Sequence, residues 1–147
     1  MNKIKWCLEQ NKGIELVEPN DNLSSAYLKD ANDSLMAMKI NKGTWKIVTA
    51  YYACYNAFYS VLMKSGIKCE IHDCTIELMN LFDFSDEEIS FLKNLKKLRI
   101  DVQYYLKDVK EIDSELVSHF VHKCQELSDK LDFDKIKILR KDLAKND

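Results

Sequence analysis

The sequence has few of the residues that turns require, with three glycines and one proline in 147 residues. An all-β domain would need more of both, because its many turns depend on them. No apolar run is long enough to cross a membrane, and the amino terminus, MNKIKWCLEQ, lacks the apolar centre of a signal peptide. We therefore expect a helical protein without a membrane partner.

The cysteines lack the spacing of a disulfide framework or a paired metal site. There are five of them, an odd number, and no two are separated by two residues. This usage is typical of reduced thiols in a cytoplasmic protein, where several of them fill the core. The sequence therefore predicts a cytoplasmic location and free cysteines.

What is present fits one folded domain over residues 1–147. Hydrophobic residues make up 46% and charged residues 31%, a globular rather than a disordered composition. The formal net charge of −2 gives no overall attraction to nucleic acid, so any anion-binding surface must be a local patch. Within the domain, residues 1–21 are expected to form an N-terminal segment and residues 133–147 a charged, fraying end.

The spacing of apolar residues predicts an all-α fold, an up-and-down helical bundle of four main helices plus a short helix. The stretch TWKIVTAYYACYNAFYSVLMKSG, ending at Gly66, is apolar nearly all round and should be the central helix. Ser85 and Glu88 form a capping box before a helix that should run to about Lys110. The other predicted helices begin near residue 22, at His72 and at Asp113, and the last should break near Asp132.

One arginine occupies an unusual place on the helix that follows the capping box. Leu92, Leu106 and their neighbours define its apolar stripe, and Arg99 falls just inside the edge of that stripe at about 100° per residue. An arginine there keeps its charge and needs partners for its five donors. One interpretation is a structural bond to a buried carboxylate or to backbone carbonyls. The other is a phosphate contact, which suits the planar guanidinium.

Two stretches of this sequence resemble the HEPN superfamily of small helical-bundle proteins, within it the stand-alone prokaryotic members. AYYACYNAFYSVLMKSG (50–66) is similar to the family's second helix, and RIDVQYY (99–105) to its later R-x-x-x-[DQ]-Y pattern. His72 stands where the family often has a histidine that opens the third helix. The order and spacing agree from about Leu23 to Phe120, which implies one HEPN-like domain.

The resemblance implies an RNA-directed role, without a cofactor, as a homodimer in a toxin–antitoxin or defence system. Many members are metal-independent ribonucleases built on an arginine followed four to six residues later by a histidine. They are often neutralised by a partner nucleotidyltransferase. Here Tyr104 stands five residues after Arg99, where that histidine would fall. Tyrosine is a poorer base than imidazole near neutral pH.

The candidate site follows from this comparison. The expected catalytic residues are Arg99, Tyr104 and His72, where His72 would restore an imidazole if its helix lies near Arg99; a capping or solvent role is the alternative. The expected substrate-binding residues are Gln103, which would orient Arg99, with Lys96 and Lys107. Tyr105 is expected in the core. The tyrosines of the central helix are expected mainly to pack, and the alternative is that one or two of their hydroxyls reach a polar pocket beside Arg99.

Other interpretations remain open at this stage. The alternative function is a non-catalytic helical binding module that dimerises and docks a nucleotidyltransferase or another protein partner. Lysines near Arg99 can be ordinary solvated surface rather than an RNA contact. Glu115, His119, His122 and Glu126 have a helical spacing that can hold a metal, although a solvated face is the better interpretation. Cys69, His72 and Cys74 are compact but lack a fourth ligand, so no metal is expected.

Overall fold

The computed structural model describes residues 2–146 and confirms the all-α fold, with 74% of the chain in helices. The helices and the two short strands have the following bounds: α1 Lys3–Glu9, β1 Glu15–Leu16, α2 Asp21–Ile40, α3 Thr44–Ser65, β2 Ile67–Lys68, α4 His72–Glu77, α5 Asp86–Tyr104, α6 Ser114–Lys130 and α7 Phe133–Ala144. A 3₁₀ turn, Leu78–Leu81, continues α4. No helix within residues 2–146 has the length and apolar character that a bilayer crossing requires.

Helix α3 is the centre of the bundle, as its apolar circumference predicts. It packs against α2, α5 and α6 and is buried along most of its length. Alanines at 50, 53 and 57 are fully buried, which lets the neighbouring helices approach closely. Because α3 is covered on most sides, the polar groups on its tyrosines must find partners inside the protein.

Local signals in the sequence fix several of the helix ends. Gly66 closes α3 with φ +74°, the left-handed conformation that glycine adopts without strain. Ser85 and Glu88 make both bonds of the capping box at the start of α5. Asp113 caps α6, and Asp132 separates α6 from α7, as predicted. These caps set where the helices that carry the candidate site begin and end.

Helix α5 is shorter than the sequence predicts, since it ends at Tyr104 rather than near Lys110. Leu106 adopts φ +52°, and the Lys107 amide donates to the Asp101 carbonyl, so the chain turns away from the helix. The prediction that Tyr105 and Leu106 pack in the core was wrong: their side chains are 69% and 85% exposed. The end of α5 therefore presents apolar side chains to solvent.

The two ends of the chain are more ordered than predicted. The N-terminal segment contains α1 and strand β1, which pairs antiparallel with β2. The C-terminal segment forms α7, whose Leu143 is buried. Cys7 of α1 is joined to Cys74 of α4 by a disulfide, so the expectation of reduced thiols was wrong for this pair. Cys54, Cys69 and Cys124 are free and buried.

Candidate functional site

Arg99 lies on the inner side of α5 against the tyrosines of α3. Its side chain is only 7% exposed. The guanidinium carbon lies 4.8 Å from the ring centre of Tyr51, 5.5 Å from that of Tyr52 and 5.8 Å from that of Tyr104. The negative ring faces of tyrosines attract a cation, so these contacts account for a buried charge without a carboxylate.

The donors of Arg99 are mostly unused by the protein. Nη1 donates to the Tyr52 hydroxyl at 3.2 Å, whereas Nε is buried and has no partner. No carboxylate lies within ion-pairing distance of this guanidinium among residues 2–146. A structural arginine would have its donors bonded, because an unpartnered buried donor is costly. This arrangement does not favour the interpretation of Arg99 as an intramolecular tie.

His72 lies in the same cluster of side chains as Arg99, joined to it through Tyr51. It is the first residue of α4, and its Nδ1 lies 2.7 Å from the Tyr51 hydroxyl. The imidazole also stacks on Tyr55, with ring centres 4.1 Å apart. Tyr51 thus contacts the imidazole through its hydroxyl and the guanidinium through its ring. The condition under which His72 was expected to matter, that its helix lies near Arg99, is met.

The surroundings of His72 keep it neutral. Its pKa is lowered from the usual 6.5, first because burial disfavours the charged ring and then because the positive charges of Arg99 and Lys96 lie nearby. A hydrogen bond from Lys96 in turn lowers the pKa of the Asp73 carboxyl, which is the next residue on α4. At neutral pH the site therefore holds the cationic Arg99, the Lys96–Asp73 ion pair and a neutral imidazole, and the first and last are forms suited to anion binding and proton acceptance.

The tyrosines of α3 act as hydrogen-bonding groups rather than as acids. Burial raises the pKa of Tyr51 and of Tyr55, so both hydroxyls stay protonated. Tyr55 donates to Thr75 Oγ1 at 3.0 Å, which holds α4 against α3. The stacked position of His72 is therefore fixed by two α3 tyrosines, one through its hydroxyl and one through its ring.

Gln103 and Tyr104 lie one turn beyond Arg99 on α5. Gln103 is half-buried, and its Oε1 has no hydrogen-bond partner, so it does not bond the Arg99 side chain as expected. Tyr104 is 64% exposed with its ring beside the guanidinium. A buried donor on Arg99 and a buried acceptor on Gln103 are thus left unused about one helical turn apart.

The two lysines predicted to bind substrate have different surroundings. Lys96 pairs with Asp73 at 2.5 Å and so ties α5 to the start of α4 beside His72. Lys107 lies beyond the end of α5, exposed, and pairs with Asp101 at 3.6 Å. Lys107 keeps more freedom to contact a ligand than Lys96, whose ammonium already has a close acceptor.

The other candidate chemistry does not assemble. Among the described residues, no group of three or more His, Cys, Asp or Glu side chains is placed to hold a metal ion. His122 pairs with Glu126 at 3.0 Å on an exposed face of α6. Cys74 is in the disulfide and cannot serve as a thiolate ligand. The cluster around Arg99 remains the candidate site.

The sequence analysis did not single out several residues of this cluster. Tyr51 was assigned mainly to packing, although it contacts both Arg99 and His72. Thr75 and Asp73 were not predicted to take part, and only their closeness to His72 on a short helix could have pointed to them.

No protein-family model, curated protein or solved structure matches this chain. The cluster of Arg99, Tyr51 and His72 must therefore be interpreted from its own geometry.

Proposed function

We propose that this protein is RNA-directed and HEPN-like, with Arg99 binding a phosphate of the RNA backbone. The observation that carries the proposal is the buried guanidinium with unused donors and no carboxylate partner among residues 2–146. A phosphate offers several acceptor oxygens and a negative charge, which match the planar array of donors on an arginine. The local positive charge at this site contrasts with the net charge of −2 of the whole chain.

His72 supports a cleavage step at the bound phosphate. In the tautomer in which Nδ1–H donates to the Tyr51 oxygen, the Nε2 lone pair is free to accept a proton. It would take the proton of a ribose 2′-hydroxyl as that oxygen attacks the adjacent phosphorus. The bond from phosphorus to the 5′-oxygen breaks, and that oxygen leaves with a proton, supplied by Tyr104 or water. The products are a 2′,3′-cyclic phosphate and a 5′-hydroxyl.

Arg99 has the second role in this step. Negative charge builds on the phosphate oxygens as the bond to the 2′-oxygen forms, and a guanidinium fixed by aromatic rings stabilises that charge without having to reorient. The Tyr51 hydroxyl holds the imidazole in a single orientation. A homodimer and a nucleotidyltransferase partner belong to this proposal as what the HEPN resemblance implies.

The test is binding and cleavage of labelled single-stranded RNA by purified protein in the presence of a metal chelator. We expect Arg99→Ala to lose both binding and cleavage, and His72→Gln to keep binding but lose cleavage. Lys29→Ala is the control for the loss of one positive charge, because Lys29 lies on the exposed side of α2 and pairs with Asp33.

Each result has a definite meaning. Binding without cleavage in the unaltered protein would leave a binding protein rather than a nuclease. If Arg99→Ala binds RNA as tightly as the unaltered protein does, the proposed role of Arg99 is wrong. Cleavage that stops on chelation would contradict the metal-independent mechanism.

A further inference from the structure

Trp45 is an exposed aromatic residue that the packing of the bundle does not explain. Its side chain is 61% exposed at the beginning of α3, whereas large aromatic side chains further along α3 are buried. Trp45 and Tyr52 are seven residues apart, so they lie on nearly the same face of the helix, about 10 Å apart along its axis. Tyr52 accepts the hydrogen bond from Arg99. Trp45 therefore lies on the same face of α3 as the Arg99 site, at the end of the bundle where α3 begins.

Positive charge gathers at this end of the bundle. A cavity of about 270 Å³ at the beginning of α3 is lined by parts of the α2–α3 turn and of the segment after α5, and its wall includes Lys46, the residue that follows Trp45. Three lysines and one glutamate line it: Lys42, Lys46, Lys110 and Glu111. None of the three lysines forms an ion pair within residues 2–146. The cavity thus carries a net positive charge in a chain that is negative overall.

Further exposed aromatic rings lie at the same end of the bundle. Tyr104 and Tyr105 close α5 and are 64% and 69% exposed. The segment that follows them brings Val109 and Lys110 to the wall of the cavity near α3. Aromatic rings interspersed with unpaired cations are the surface that single-stranded nucleic acid uses, since bases stack on the rings and phosphates meet the charges.

We propose that Trp45 stacks on a base of a single-stranded RNA whose backbone runs from Arg99 past Lys46 to Lys42 and Lys110. This inference rests on the proposed function and adds a substrate class, unpaired rather than duplex RNA. The distance from Tyr52 to Trp45 corresponds to about three stacked nucleotides at about 3.4 Å each. A duplex cannot offer a base to Trp45, because its bases are already stacked and paired.

The two tryptophans of this chain make the proposal directly measurable. In Trp6→Phe, Trp45 is the only tryptophan left, and we expect its fluorescence to be quenched as a short oligouridine is added. Trp45→Ala should bind a labelled oligouridine about 5- to 150-fold more weakly, the range for loss of one stacked base. Trp45→Phe should fall between, since it keeps a ring. Trp6→Phe should bind like the unaltered protein.

The lysines give an independent readout. The slope of log affinity against log salt concentration is negative, and we expect Lys46→Ala to make it less steep by about 0.7, the value for one lost contact to single-stranded phosphate. Lys29→Ala should leave the slope unchanged. Duplex RNA of the same length should not quench the fluorescence of Trp45, and its affinity should be the same for Trp45→Ala as for the unaltered protein.

The outcomes separate this proposal from the one on which it rests. If Arg99→Ala abolishes binding and Trp45→Ala does not weaken it, the proposed function stands and the role of Trp45 is wrong. If the unaltered protein binds no RNA, both are wrong. If Trp45→Ala changes the sedimentation of the protein but not its RNA affinity, the surface is an interface between copies of this chain. That result also overturns the proposal.

Discussion

Arg99 and Arg140 are the two arginines of the sequence, and both lie beside the central helix α3. Arg140 of α7 points Nη1 at the C-terminal end of α3, where it donates to the carbonyls of Val17 and Gly66, each at 2.7 Å, and of Ser65 at 3.3 Å. Arg99 gives one hydrogen bond to a tyrosine hydroxyl and leaves Nε buried without a partner.

The two arginines differ in the groups that their donors meet. Arg140 donates to carbonyls at the C-terminal end of α3 and to the neighbouring Val17 carbonyl, so its charge also meets the negative end of the α3 dipole. Arg99 satisfies no backbone group, and its neighbours are aromatic rings that tolerate its charge without using its donors. We expect the first to stabilise the fold and the second to bind an anion.

The largest expected effect is that of Gly66→Ala, which tests the packing around Arg140. A Cβ at Gly66 would collide with Arg140 Nη1 and the Val17 carbonyl oxygen, and φ +74° is unfavourable for alanine. We expect a loss of at least about 3 kcal/mol in the free energy of unfolding, measured by urea denaturation. Gly43→Ala is the matched control: its φ is +67°, but a Cβ there meets no atom within 4 Å. With ψ −139° its backbone is also unfavourable for alanine, so this variant should cost about 1–3 kcal/mol, less than Gly66→Ala because the collision is absent. Equal losses would mean that Arg140 is not packed as described.

The next effect compares the two arginines directly, by replacing each with methionine. Arg140→Met should lower the free energy of unfolding by about 1.5–3 kcal/mol, because charge-assisted bonds to carbonyls are lost, while the Gly66 carbonyl keeps its bond from the Val17 amide. Arg99→Met should change it by less than about 1 kcal/mol, since the loss of contacts with the tyrosine rings is offset by removal of an unpartnered buried donor.

The free energies of unfolding of Arg140→Met and Arg99→Met are measured by urea denaturation at a single salt concentration. If Arg99→Met destabilises the protein as much as Arg140→Met does, Arg99 is a structural residue and the proposed function loses its main support.

A smaller effect is expected from the one hydrogen bond that Arg99 makes to the protein. Tyr52→Phe removes the acceptor of that bond and leaves the ring in contact with the guanidinium. We expect a stability loss of about 0.5–1 kcal/mol and no loss of RNA affinity, because Nη1 becomes available to phosphate. Tyr55→Phe is the control, because it removes the bond to Thr75 on the other side of the cluster. A large loss of affinity in Tyr52→Phe would mean that this hydroxyl itself contacts the RNA.

The sequence predicts the bundle well because the signals for its main helices are local. The apolar circumference of α3, the closing Gly66 and the capping box of Ser85 and Glu88 each specify an element within a few residues. The predicted end of α5 was wrong because Leu106 takes a left-handed conformation, and no glycine in the sequence marks that position. The Cys7–Cys74 disulfide joins residues 67 positions apart, a separation that no local pattern reveals.

The candidate site was only partly predictable for the same reason. The position of Arg99 at the edge of the apolar stripe predicted its burial, since that depends on the periodicity of one helix. Its contacts with Tyr51 and Tyr52 depend on how α3 is rotated against α5, and the place of His72 depends on bonds from α3 to α4. These are tertiary facts that the spacing of residues within one helix does not determine.

The smallest effect is a pH dependence that reports on Arg99 through His72. The pKa of His72 is below 6.5 in the folded protein, so the unfolded chain binds more protons in the interval between the folded value and 6.5. The stability contributed by neutral His72 is complete above pH 6.5 and is lost as the pH falls through the folded value. Urea midpoints from neutral pH down to about pH 5 should show this loss in the unaltered protein and a smaller one in His72→Gln. If the urea midpoint of His72→Gln falls with pH as steeply as that of the unaltered protein, the buried position of His72 is contradicted.

Inorganic phosphate allows the pKa of His72 to distinguish the two arginines. Part of the lowered pKa of His72 comes from the charge of Arg99, so an anion bound to that guanidinium should raise the pKa and reduce the loss of stability in acid. The shift should appear in an NMR titration of the His72 ring with and without phosphate, and it should vanish in Arg99→Met but persist in Arg140→Met. If phosphate still raises the pKa of His72 in Arg99→Met, the anion binds at another site and the unused donors of Arg99 do not hold it.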